Sequence, residues 1–421
     1  GTVQSGDDDG FIAFPSYEWH SLEFGDHNVY SAGPDLPLLD APDLSGLRAH
    51  VHRTDGIAIP HHIGYRSGYR GINWDAYTED VSPFVEIFSL HGCSLSDNAP
   101  YPMLHDMGPR DWGSTADAGW ERGYRFGIVG GTDHHAAWPG SHGDGRMGVF
   151  AEELTRNSLW ESFLARRVFA ATGDRIDARL FLNDAWIGES VAARATRCLQ
   201  IDVHGSDSID RAELLRNGQV VQRFYPTQTA PDEKRHRYRL RLTWGWGRSS
   251  IPVEWSGEVT LSEGTIHELE TCFSGQAIVA PQGDSASTQL DDVTLPHVVP
   301  QRSERSFVFQ SITQGNQTMR HETTQAISLD LEAPLNAIIS VVVNGQRYEY
   351  RLGELLRKGR SHFLRGWLSE AIRIGPLIPV EECSLTAEWR DEPVNDVDVY
   401  RLQVAQHNNQ WAWLSPVWAE Q

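Results

Sequence analysis

The stretch FGIVGGTDHHAAWPG, from Phe126 to Gly140, sets Asp133, His134 and His135 directly behind an apolar run and two glycines. A buried strand ends this way when its ligating side chains sit where a loop begins. An extended backbone puts Asp133 and His135 on the same side. A carboxylate and an imidazole so placed suit a hard or borderline divalent ion. Three clusters upstream repeat the arrangement. SYEW carries Glu18 at a strand end, and FGDHNVYS follows with His27. GIAIPHHIGY reads as a strand over 57–59 that ends in His61 and His62, with Arg66 and Arg70 close behind. SPFVEIFSLHG reads as a strand over 84–88, with Glu86 inside it and His91 after it. A charge such as Glu86 in mid-strand is costly unless paired or bound. Of the 18 histidines, eleven fall within the first 142 residues.

Not every candidate belongs to this set. His50 and His52 form an H-x-H, but they fall on a short helix opened by Asp43 or Ser45. Two positions along a helix are about 200° apart, so those rings do not converge. Arg66 and Arg70 have the guanidinium fork that holds phosphate or carboxylate bidentately. Their plain alternative is pairing with Asp75 and Glu79.

The elements that must position these residues change character along the chain. Over the first 178 residues, strand, ligand, loop and helix alternate. That is the plan of an open or distorted β/α barrel with metal at its C-terminal face. The segment after Thr155 predicts a helix with Leu159, Phe163, Leu164 and Val168 as its core stripe. From residue 179 to 421, short alternating segments are separated by turn signals such as Asn217-Gly218 and Asn344-Gly345. These are hairpin signals, and they predict one or two β-sandwiches, with residues 276–300 as a linker.

Composition excludes several functions. The 421 residues carry 57 acidic and 36 basic side chains, for a net charge of −21. Such an acidic surface argues against nucleic acid as a partner. No apolar run is long enough to span a bilayer, so a membrane is not expected either, and the cytoplasm is the expected compartment. Cys93, Cys198, Cys272 and Cys383 lie far apart and indicate neither a zinc knuckle nor a disulfide framework.

Together the motifs resemble the PHP (polymerase and histidinol phosphatase) superfamily of metal-dependent phosphoesterases. SYEW is similar to its strand-end Glu motif, IPHHIGY to its I-A-H-P-G-like motif, and GGTDHH to its closing G-S-D-x-H. FPSYEW, GDHNVY, VEIFSLHG, ATGDRI and SPVW resemble markers of a branch with a β-domain after the barrel. The resemblance implies two or three divalent ions (zinc, manganese or iron). It implies Glu18 as a bridging ligand and His27, His61, Asp133 and His135 as further ligands. His62 stands where the superfamily usually has Pro. Substrate binding is assigned to His62, Arg66, Arg70 and Glu86, and proton transfer to His91 and His134. The superfamily's opening H-x-H has no counterpart before Glu18. Loss or separation of that segment, fewer metals, or a degenerate site would each account for this. The first is favoured, because a barrel without its opening strands leaves an unpaired edge. A separate N-terminal fragment is then an expected partner, and oligomerisation is left open.

The expected function is hydrolysis of a small-molecule phosphoester. Two alternatives stay open. One is a non-catalytic carbohydrate- or protein-binding role for the β region, with Trp244 to Trp246 as a stacking platform. The other is a metallohydrolase acting on a non-phosphate ester or an amide.

Overall fold

The computed structural model describes residues 11–135, 138–192, 196–227, 236–247, 252–275, 297–314, 323–366 and 369–420. Strands dominate, and the α-helices of the described residues are short, the longest having 10 residues. None is long and apolar enough to cross a membrane.

In the first third, β1 (Ser16–Trp19), β2 (His27–Ser31) and β3 (Gly56–Pro60) form an antiparallel sheet. Its register sets Trp19 opposite His27, and His27 opposite Pro60. Helix α1 (Leu44–Arg53) connects β2 to β3 and buries Leu44, Leu47 and Val51. Its N-cap is Asp43, whose carboxylate accepts the Gly46 N–H at 2.8 Å. A side-chain acceptor of this kind satisfies one of the helix's orphan donors. The next sheet joins β4 (Phe84–Ser89), β5 (Gly92–Cys93) and β6 (Gly127–Gly130). Strands β4 and β6 run parallel, with α2 (Ala116–Glu121) in their crossover.

The expected β/α barrel is not formed, and the likeness to a TIM barrel goes with it. A barrel of that type needs a parallel neighbour and a covering helix at each step. Here β1, β2 and β3 alternate in direction, and irregular chain fills much of the connections from β3 to β4 and from β5 to β6. No closed ring of parallel strands exists among the described residues. The expected helical stripe is also only partly right. Helix α3 (Arg156–Leu164) buries Trp160 and Ser162, while Leu164 is half exposed. Val168 already belongs to a strand, β8 (Val168–Ala171), which pairs with β7 (Arg146–Val149).

The β region holds two packed pairs of sheets, one nested in the other. Asp177–Leu182, Arg197–His204 and Ser384–Asp391 form part of one sheet. It shares a core with a larger sheet containing Ile209–Arg216, Val397–Gln406, Trp411–Leu414, β8 and β7. The second pair is built from strands between His236 and Pro379, around Trp244, Trp255 and Phe309. Arg197–His204 and Val253–Leu261 bury alternate residues, the period of a strand with one face in a core. Both Asn-Gly pairs are hairpin turns with positive φ, at Asn217-Gly218 and Asn344-Gly345. The division expected at residue 178 follows β8, whose sheet takes further strands from Val397 onward. Most of the expected linker, 276–296, lies outside the described residues, and Val298–Arg302 is a strand. Of the residues expected as a stacking platform, Trp244 is fully buried and stacked on Phe309 at 4.4 Å, while Trp246 is exposed.

One buried ion pair anchors the larger sheet. Arg197 and Asp398 have no exposed side-chain surface and are hydrogen-bonded to each other. Burial opposes the charge on Asp398. The Val394 N–H, Asn217 and Arg197 outweigh burial and pull its pKa from 3.8 to about 2. A depressed carboxyl pKa contributes stability above the unfolded value, and that contribution is lost as pH falls. We expect stability to decline between pH 4 and 2, as read by denaturant titration, with a smaller acid-side slope in Asp398→Asn. At neutral pH that variant should lose roughly 3 kcal/mol, because it leaves Arg197 buried and uncompensated.

Candidate metal centre

The strand ends of the first third bring their polar residues to one place. Glu18 comes from β1, His61 and His62 from the end of β3, and Asp133 and His135 from the loop after β6. Glu18 Oε1 lies 3.8 Å from His61 Nε2 and 3.9 Å from His62 Nε2. His61 Nε2 is 3.3 Å from Asp133 Oδ2, and His91 Nε2 is 2.9 Å from the same oxygen. His135 Nε2 is 3.5 Å from Asp133 Oδ1. Two three-donor groups result, Glu18/His61/His62 and His91/Asp133/His135, each with its donor atoms within 4.8 Å of one another. Glu18 also forms a group with His20 and Asp26.

The backbone is adapted to this convergence. His62 and Asp133 have φ of 33° and 46°, a left-handed region that non-glycine residues seldom occupy. Gly130 lets the strands approach, since a Cβ there would stand 2.8 Å from the Arg146 carbonyl oxygen.

Behind the forward-facing nitrogens stands an outer layer. Glu86 is buried, and its Oε1 lies 2.8 Å from His61 Nδ1, so Nε2 is left facing Glu18 and Asp133. The Tyr65 hydroxyl lies 2.9 Å from His91 Nδ1, with Asp106 Oδ2 at 3.4 Å. Asp26 takes the Ser21 N–H at 2.9 Å and Arg70 Nη2 at 2.7 Å, and lies 3.4 Å from His62 Nε2. Metal-binding imidazoles are usually held by a partner on the far ring nitrogen, as His61 and His91 are here, whereas Asp26 faces the same His62 nitrogen as Glu18 does.

The electrostatics fit a cation. Burial disfavours the charge on Asp133, yet hydrogen bonds from His61 and His91 hold its pKa well below the carboxylate range. Burial likewise opposes charge on Asp26, but His62, the Ser21 N–H and Arg70 keep it at about 2. Burial also disfavours the charged form of His61, but Glu86 and Asp133 raise its pKa well above 6.5. Burial and the neighbouring His61 push His62 down to about 4, so it is a neutral donor at physiological pH. The donor set is ionised carboxylate with imidazole, on which zinc, manganese or iron would fit.

The structure therefore joins Glu18, His61, His62, His91, Asp133 and His135. Three expected site residues stand elsewhere. His27 lies outside these donor groups, with Nδ1 at 2.9 Å from the Gly25 carbonyl. Its neighbour Asp26 takes the place expected of it. Asp26 stands just before β2, while His27 opens the strand. His134 accepts the Trp138 N–H at 3.4 Å and packs against Gly275. Arg66 is exposed and lies over the Tyr69 ring at 4.4 Å. Two others act through neighbours: Arg70 holds Asp26, and Glu86 holds His61. Asp75 and Glu79 bond instead to Arg122 and to the Arg125 N–H. Asp26, His20, Asp106 and Tyr65 were missed. The GDH triplet before β2 was the available signal for Asp26.

Comparison with known proteins places the chain beside others without defining its activity. The family described as "protein of unknown function (DUF3604)" matches residues 140–197. An uncharacterised protein of Chlamydia pneumoniae is 24% identical over 224 residues, covering 49% of this chain and 35% of its own length. Uncharacterised proteins of Chlamydia muridarum and Chlamydia trachomatis are 26% and 25% identical over 173 residues, covering 37% of this chain and 28% of theirs. The chain thus spans about a third of the length of the curated relatives it matches. No solved structure matches it.

Removing a donor and removing its support should have separable effects. Asp133→Ala should abolish stoichiometric retention of added zinc or manganese, measured by elemental analysis after desalting. Glu86→Gln should keep the donors and weaken affinity about 10- to 100-fold. His27→Ala should leave metal content unchanged.

Proposed function

We propose that the chain is a metal-dependent hydrolase whose substrate is a small phosphoester. The observation that carries this reading is the convergence of Glu18, His61 and Asp133, with Glu86 behind His61. Bound divalent ions would supply Lewis acidity and a water acidic enough to ionise near neutral pH. The protein's own part is to hold two donor groups side by side, tied through the His61–Asp133 contact of 3.3 Å. Glu18 belongs to one of these groups and also to the one with His20 and Asp26, and would link the two. His20, more than half exposed, stands 3.6 Å from Glu18 and 3.3 Å from Asp26 at the solvent edge of the site. The motif resemblance to PHP phosphoesterases supports the same chemistry, carried here without that superfamily's barrel.

One observation favours a second reading, an ester or amide other than a phosphoester. Both arginines expected to hold phosphate are engaged: Arg70 by Asp26 and His20, and Arg66 by the Tyr69 ring. A dianionic group would therefore rely on the ions for its countercharge.

The test is turnover by metal-loaded full chain on panels of phosphomonoesters, phosphodiesters, carboxylic esters and amides. The expected result is metal-dependent phosphoester cleavage, reduced at least about 100-fold in Asp133→Ala and Glu18→Ala. Cleavage confined to carboxylic esters or amides would select the second reading. A parent protein that holds metal and cleaves nothing would end both.

A further inference from the structure

A second cluster of reactive groups lies apart from these donors. His142, Asp174 and Cys272 are each at most 2% exposed and bring their polar atoms within 4.8 Å of one another. His142 Nε2 is 2.8 Å from Asp174 Oδ1, and Arg241 Nη1 donates to the same oxygen at 2.9 Å. The other carboxylate oxygen accepts from Gln406 at 2.8 Å and from Asn408 at 2.6 Å. Asp174 is thus fully engaged, and a guanidinium already occupies the space beside it. That argues against a divalent cation here, although the donor types would otherwise suit one.

What remains is a thiol within 4.8 Å of an imidazole nitrogen, with the Asp174 carboxylate and the Glu270 carbonyl oxygen, at 3.7 Å, beside it. Cys272 Sγ lies 3.9 Å from Asp174 Oδ1. It forms part of the wall of a cavity of about 370 Å³, together with Arg241, Gln325, Asn408 and Gln410. Burial opposes charge on His142, but Cys272 and Asp174 beside it raise its pKa to about 10. An imidazole held by a carboxylate can act as the base for a thiol within reach.

We propose that Cys272 is an activated thiol, oriented with His142 and Asp174, that small hydroperoxides entering this cavity oxidise to the sulfenic acid. The sulfur attacks the terminal peroxide oxygen. The S–O bond forms as the O–O bond breaks, sulfur losing two electrons and the peroxide gaining them. His142 gives its proton to the departing oxygen, which leaves as water or an alcohol, and the sulfenic acid keeps the proton of the attacked oxygen. The small size of the cavity and the near-complete burial of the sulfur select small oxidants over acyl substrates.

The test treats reduced full-chain protein with hydrogen peroxide in the presence of dimedone, and maps adducts by peptide mass spectrometry. Cys272 is expected to label at least about tenfold faster than Cys198, the exposed thiol, despite its burial. Labelling should disappear in Cys272→Ser and slow in His142→Gln. The comparison with Cys198 needs no variant, so it stands even where a substitution impairs folding. Preferential labelling of Cys198, or labelling of Cys272 only after denaturation, overturns the proposal. So does a Cys272 that reacts only after a chelator strips zinc from it, an outcome that would make the cluster a metal site.

Discussion

Repulsion among carboxylates governs this molecule. Glu18, Asp26, Glu86, Asp106 and Asp133 all stand within 4 Å of an imidazole nitrogen in one small region, and Glu86 and Asp26 are buried. Charges of one sign gathered out of water are costly unless cations meet them. Arg70 answers only Asp26, and a proton on His61 answers part of the rest. The divalent ions proposed above would answer it, and the alternation of imidazole with carboxylate is the ligation such ions take.

The architecture around the cluster limits its freedom. His61 is held from behind by Glu86, His91 by Tyr65 and Asp106, and His62 lies against Asp26, which is clamped in turn. These supports come from several different strands and loops, so no single element can move alone. The strained φ at His62 and Asp133 fits the same picture, since unfavourable backbone persists where surrounding contacts dictate it. The sheets, rather than a ring of helices, supply the rigidity. Trp411–Leu414 pairs with β8, and Trp413 packs on Phe88 at the end of β4.

Much of the candidate site was legible because it is local. Each strand end announced itself by an apolar run followed by glycine, proline or histidine, and the Asn-Gly hairpins by their turn chemistry. What sequence did not show was pairing. β1, β2 and β3 read equally well as members of a parallel barrel, since strand direction is written in neighbours and not in the strand. The nesting of one sandwich inside another escaped for the same reason: its partners lie almost two hundred positions apart, as with Leu199 and Trp389. His27, expected among the donors, lies outside the donor groups, whereas Asp26, just before β2, belongs to one. Leu164 and Val168 continued an apolar stripe on paper, while the chain had already left α3 for β8.

The pairing of Trp411–Leu414 with β8 has a consequence for how the molecule is made. The sheet beside the loop bearing Asp133 and His135 draws strands from both sides of the nested sandwich. During synthesis, that sheet stays incomplete until Val417–Glu420 has emerged from the ribosome, long after every proposed ligand has been translated. Contacts so remote in sequence form late and slowly. The nascent chain therefore carries its cluster of charged strand ends before the sheet that backs them is complete.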